Sequence, residues 1–160
     1  MQNSIDEIFE YLSWSSDVDT QCLGIQLASQ IKHLSILIMP IESKSTWENC
    51  AKVLANKNDE TLLLYLFELF EWLKDMNWPG AELIYSRLLR IAPEALLPVY
   101  KYSLSVAKQT GDHAWQMALN DFYTEYLLAQ GPVLSGQGDG SVVPGDKGTV
   151  LLSPDESPIQ

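Results

Sequence analysis

Between Leu62 and Leu73 the chain reads LLLYLFELFEWL, and only Glu68 and Glu71 are charged. Wound as an α-helix, that run is apolar on almost every side, and such a helix is buried between neighbours. A sharp polar turn follows at Lys74, Asp75 and Asn77, and Trp78-Pro79 opens a further helix. The neighbours are expected to be other helices rather than lipid. Charges crowd the rest of the sequence, and LSILIMPI (residues 34–41) is far too short to span a bilayer.

A chain of 160 residues is long enough to bury one core without disulfides or metals. Its net charge of −11 opposes binding to nucleic acid and to anionic membrane, and favours basic partners or simple solubility. Cys22 and Cys50 sit among apolar residues in helical patterns, where free thiols are expected as small buried hydrophobes. The opening MQNSIDEIFEYL carries acids where a signal peptide carries bases, so a cytoplasmic location is expected.

Composition changes at Gly131: residues 131–160 hold six of the nine glycines and four of the eight prolines. They lack helical period and hold too few large apolar side chains to form a core, which predicts a disordered, flexible tail. Val142-Val143 and residues 150–152 could form at most a marginal hairpin. Residues 1–130 carry helical periodicity almost throughout. Ser4 and Glu7 form a capping box before Ile5, Ile8, Phe9 and Leu12. Asp17 or Asp19 starts a second helix bearing Cys22, Leu23, Ile25, Leu27, Ala28 and Ile31. Ser35 opens a short helix that Pro40 interrupts, and Ser45 or Thr46 caps one with Trp47, Cys50, Ala51, Val53 and Leu54 inside. Asn58 or Asp59 caps the apolar run. Asn77 is expected to cap the next helix, with Pro79 in its first turn. Pro93 starts a helix through Leu96, Tyr100 and Ala107, and Gly111-Asp112 separates it from a last one holding Trp115, Leu119, Phe122 and Tyr126.

This makes about eight helices in four hairpins. The turns within residues 12–28, 73–89 and 107–122 each run from an apolar end through an Asp-bearing polar turn into an amphipathic helix. A repeated helix hairpin of that kind is the pattern of an α-solenoid. The string E-W-L-K-D-M-N-W-P-G-A (residues 71–81) and, less specifically, W-E-N-C-A-K-V-L (residues 47–54) resemble a small uncharacterised bacterial family with a HEAT-like helical fold, a domain of unknown function. Within it Glu71, Trp72, Leu73, Asp75, Asn77, Trp78 and Pro79 match the pattern E-W-L-x-D-x-N-W-P. The resemblance spans about residues 44–92 and implies an all-α, HEAT-like α-α superhelix for residues 1–130. It carries no catalytic residues. By fold-level analogy, short HEAT-like proteins of this sort are similar to some immunity proteins of bacterial toxin systems. Trp72, Asp75, Asn77, Trp78 and Pro79 are read first as a structural corner, with each buried indole N–H requiring an acceptor.

No catalytic constellation is present. His33 and His113 have no ligand-spaced partner, no nucleophile elbow occurs, and Gly136–Gly140 neither follows a strand nor opens a helix. No metal or cofactor is therefore expected, and the chain reads as non-enzymatic. Arg87 and Arg90 make a small basic patch, expected to pair with Glu82 and Glu94. Against nine basic and seventeen acidic residues in 1–130, that patch does not support nucleic-acid binding. The acids themselves are the expected binding surface. Asp6, Glu10, Asp17 and Asp19 lie in a stretch (residues 1–31) without Lys or Arg, and Glu68, Glu71 and Asp75 form a second line. The functional expectation is a protein-binding module with a basic partner, in its sharpest form an immunity-type inhibitor of a basic toxin. The alternatives are a small-ligand binder using a pocket among Trp47, Trp72 and Trp78, and a structural subunit of a larger complex.

Overall fold

The computed structural model describes residues 2–131, so the tail and its hairpin segments, beyond Gly131, lie outside the described residues. Every regular element among the described residues is helical. In order they are α1 (Ile5–Leu12), α2 (Val18–Ala28), α3 (Trp47–Ala55), α4 (Asp59–Leu62), α5 (Leu66–Glu71), α6 (Ala81–Leu88), α7 (Pro93–Gln109) and α8 (His113–Gln130). Single 3-10 turns occupy Leu34–Leu37, Lys44–Thr46, Leu63–Tyr65 and Trp72–Lys74. The helix expected from Ser35 is thus one 3-10 turn. After it the backbone turns through left-handed Met39 and Glu42 around Pro40.

Short polar side chains set these helix starts. Ser4 Oγ accepts the Glu7 N–H at 3.2 Å, and Asp17 Oδ1 that of Thr20 at 2.9 Å. Asn58 Oδ1 accepts the Thr61 N–H at 2.8 Å, and Asp112 Oδ1 that of Trp115 at 3.0 Å. Pro93 occupies the first position of α7, where its missing N–H has no partner to lose, and Pro98 lies inside that helix.

The apolar run is not one uniformly buried helix. Six consecutive apolar residues, Leu62 to Phe67, cannot all face one core at 100° per residue. The chain breaks into a 3-10 turn at Leu63–Tyr65 and resumes as α5. Leu62, Leu66, Leu69, Phe70 and Leu73 are buried, while Leu63 and Leu64 are left in water. Trp72 turns aside from that row and is also fully buried.

The chain divides into two units at residues 122/123, inside α8. In the second, Tyr126 is buried and Leu128 exposed. In the first, α1 packs on α2, α2 on α3, α3 on α6 and α5 on α7. The face α2 buries carries Gly24 and Ala28, whereas Leu23 and Cys22 are exposed, contrary to the apolar stripe expected there. The reason is close approach: a Cβ on Gly24 would stand 2.8 Å from Tyr11 Cβ, so the glycine fixes which side meets α1. Cys50 is buried as expected, and burial pushes its thiol up to about 12. Buried Asn49 on α3 donates to Leu12 O at 2.7 Å and Gln21 Oε1 at 2.8 Å, tying the first two helices to the third. Phe70, Tyr85, Tyr100 and Phe122 form an aromatic cluster joining α5, α6, α7 and the middle of α8, with ring centroids 5.3–6.3 Å apart.

The Asp17 cap makes acid stability testable. Its carboxyl is held below the ordinary aspartate value, chiefly by the Thr20 N–H. A folded pKa below the unfolded one contributes stability that is complete above the unfolded pKa and is lost as pH falls through the folded value. In urea titrations Asp17→Ala should be less stable than wild type at about pH 6, with the gap closing toward about pH 2. Asp17→Asn, which keeps an acceptor, should hold much of the stability with a flatter acid limb. An unchanged gap at all pH values would show that the charged cap does not operate.

Candidate functional site

The turn between α5 and α6 is built from its tryptophans. Trp72 Nε1 donates to Pro79 O at 2.9 Å, and Trp47 Nε1 donates to Pro40 O at 2.9 Å. Trp47 packs edge-on against both Trp72 and Trp78, at 6.0 and 5.6 Å between centroids. Two of the three indole N–H groups are therefore consumed inside the fold, and Trp72 has no exposed surface. These three rings form a packed corner, and Trp78 also lines a cleft.

Asn77 does not cap the following helix. The residue before α6 is Gly80, in the left-handed conformation (φ 84°) and without a side-chain cap. Its N–H is instead taken by Glu48 Oε1, at 2.8 Å, reaching from α3. Asp75 closes the turn locally, accepting the Asn77 N–H at 2.9 Å. Pro79 lies before Gly80, and its carbonyl rather than its ring geometry is what the corner uses. Glycine is needed at position 80 twice over: for positive φ, and because a Cβ would stand 2.7 Å from Ala51 Cβ and 2.9 Å from Trp47 O. By urea denaturation Gly80→Ala should lose about 3 kcal/mol of stability, combining strain with overpacking. A loss under about 0.5 kcal/mol would mean the corner yields easily.

The seven acids expected to bind a partner fall into different circumstances. Asp6, Glu10, Asp17 and Asp19 are exposed on the α1–α2 hairpin, but Asp17 also serves as a cap. Glu68 is exposed on α5. Glu71 is half-buried and pairs with Lys74 Nζ at 3.0 Å, while that ammonium lies 4.6 Å from the centre of the Trp115 ring. Asp75 is half-buried in its turn. Glu68 is thus the member of its line presented to solvent without an ion pair among the described residues.

Arg87 is not a surface cation. It is buried, and its Nη2 donates to Asp59 Oδ1 at 2.6 Å and Lys57 O at 2.8 Å, so the expected pairing with Glu82 does not form. Asp59 was one of two candidate caps, and with Asn58 capping α4 its carboxylate is left for Arg87. A buried guanidinium needs such partners, because an unpaired one carries a large desolvation cost.

Two surface features were not foreseen. The first is an apolar face on α5 and its preceding turn. Leu64 is 86% exposed, Leu63 42% and Tyr102 59%, and the half-buried Phe67, one turn after Leu63, has its ring 5.3 Å from that of Tyr102. The sequence signal was the surplus of apolar residues at 62–67, more than one buried side of a helix can hold. The second is a cleft of about 510 Å³ lined by Glu48, Asn77, Trp78, Gly80, Glu82 and Ser86. The expected pocket among Trp47, Trp72 and Trp78 already joins these segments; what the sequence does not show is the bond from Gly80 N–H to Glu48. Among the described residues no group of three or more His, Cys, Asp or Glu side chains could hold a metal ion, and no helix is long and apolar enough to cross a membrane.

The chain matches no curated protein and no solved structure. Residues 42–134, more than half of its length, match a family described as a domain of unknown function (DUF5071), and this span contains both the 47–54 and 71–81 strings. The chain belongs to that uncharacterised family.

Proposed function

We propose that this chain is a non-enzymatic protein-binding module that docks a basic partner through the exposed side of α5 and the turn before it. The observation that carries the reading is Leu64, 86% exposed in a face continued by Leu63, Phe67 and Tyr102. Leaving a leucine in water forgoes roughly 2 kcal/mol of burial. Exposed apolar surface is characteristic of interaction sites, and aromatic residues such as tyrosine are enriched at their centres while charges lie at the rim. Glu68 sits one turn after Leu64 and supplies an unpaired charge at the rim. The acids Asp6, Glu10, Asp17 and Asp19 add to the net charge of −11, which steers a cationic partner inward. In its sharpest form the partner is the basic active-site region of a bacterial toxin, which the chain covers as an immunity protein.

We read the first unit as HEAT-like stacked helix hairpins. Packing of α3 on α6 and of α5 on α7 supports this reading, because successive hairpins in such stacks meet like helix to like helix.

The test is capture from native-host lysate with the tagged full chain, wild type against Leu64→Asp and Glu68→Lys. Both residues are exposed, so the melting temperature should stay unchanged. The wild type should retain one dominant basic protein that a salt step releases, and each variant should retain at least about ten-fold less. Equal retention by both variants would remove this face from consideration.

A further inference from the structure

The cleft between α3 and the start of α6 has a wall chemistry that the docking face does not share. Its volume, about 510 Å³, exceeds that of an amino-acid side chain several-fold. Glu48 enters from α3, and Asn77, Trp78, Glu82 and Ser86 come from the turn and first turns of α6. No Lys or Arg lines it. Elsewhere on the fold carboxylates have found cations, Glu71 with Lys74 and Asp59 with Arg87, whereas Glu48 and Glu82 have no salt bridge among the described residues.

Glu48 is also held in place. Its Oε1 accepts the Gly80 N–H at 2.8 Å, which leaves Oε2 for another donor. Gly80 is itself fixed by its lack of a Cβ against Ala51 and Trp47, so the carboxylate is positioned by packed backbone rather than by a mobile loop. The half-buried Trp78 ring adds an aromatic wall, and Ser86 and Asn77 add neutral hydrogen-bonding groups. The start of α6 also faces this region, and a helix N-terminus taken alone favours anions. Its charge amounts to about half a unit, against two full negative charges from Glu48 and Glu82. The carboxylates therefore set the sign of the cleft.

We infer that this cleft binds a guanidinium or ammonium group on a short aliphatic stem, with Glu48 and Glu82 accepting its N–H donors and Trp78 flanking it. Charge-assisted hydrogen bonds to two carboxylates and contact with an indole are the combination that recognises such cations. This inference does not rest on the docking face at α5, since the two share no residue.

The test is an NMR titration of the full ¹⁵N-labelled chain, following the Trp78 indole N–H and the backbone amides of Gly80, Glu82 and Ser86. One arm uses agmatine, and a second uses a capped tripeptide with a central arginine. A third arm, a neutral alcohol of matching length, is the control. Both cationic probes should give saturable shifts localised to these residues, and the alcohol none. Glu82→Gln and Glu48→Gln should each weaken binding about ten-fold. The second variant keeps an oxygen for the Gly80 N–H, so the fold is preserved. Agmatine binding as tightly as the peptide would identify a free amine as sufficient, and tighter peptide binding would identify a protein-borne side chain. No localised shift from either cation, equal shifts from the alcohol, or affinity unchanged in both variants would overturn the inference.

Discussion

The fold turns on the burial of Trp72. Its indole has no exposed surface, and its one polar atom is satisfied by Pro79 O at 2.9 Å. That bond joins the end of the apolar run to the residue before Gly80, so it fixes the reversal between α5 and α6. An indole N–H buried without an acceptor would cost several times what a made hydrogen bond contributes. The corner therefore has little freedom to open. Trp115 repeats the device at Phe70, donating from Nε1 to its carbonyl at 2.9 Å, so that the same apolar run is gripped from α8 as well.

Around that corner, α3 acts as the shared strut. Asn49 reaches back to α1 and α2, and Glu48 reaches forward to Gly80. Arg87 on α6 returns to the turn after α3 through Lys57 O and Asp59. Each of these polar groups serves long-range structure. The consequence is a rigid frame that leaves acids such as Asp6, Glu10, Asp19 and Glu68 in solvent, together with an apolar face at Leu63 and Leu64 that the core does not absorb.

Much of the local architecture was legible in the residues. Ser4 caps where it is expected, Asp17 and Asn58 are the caps out of two candidates each, and Pro93 begins its helix, because these effects act within one turn of chain. The reading failed where distant residues compete. Asn77 lost the capping role because Gly80 takes a left-handed conformation and Glu48, thirty-two residues earlier, satisfies its N–H. Cys22 is exposed because Gly24 decides which side of α2 meets α1. Arg87 reads as a surface cation in sequence and is buried only because Asp59 and a carbonyl converge on it. For the candidate site, the acid Glu68 was visible beforehand, but the apolar neighbours Leu63 and Leu64 read as core. Periodicity alone does not say which side of an all-apolar helix is left over.

The central claim is that this leftover side is the place where a partner docks. The most direct measurement is hydrogen exchange of the full chain, alone and saturated with the basic protein it captures. The account predicts slowed exchange concentrated in residues 63–71 and around Tyr102. Slowing confined to the α1–α2 hairpin, with residues 63–71 unchanged, would contradict it.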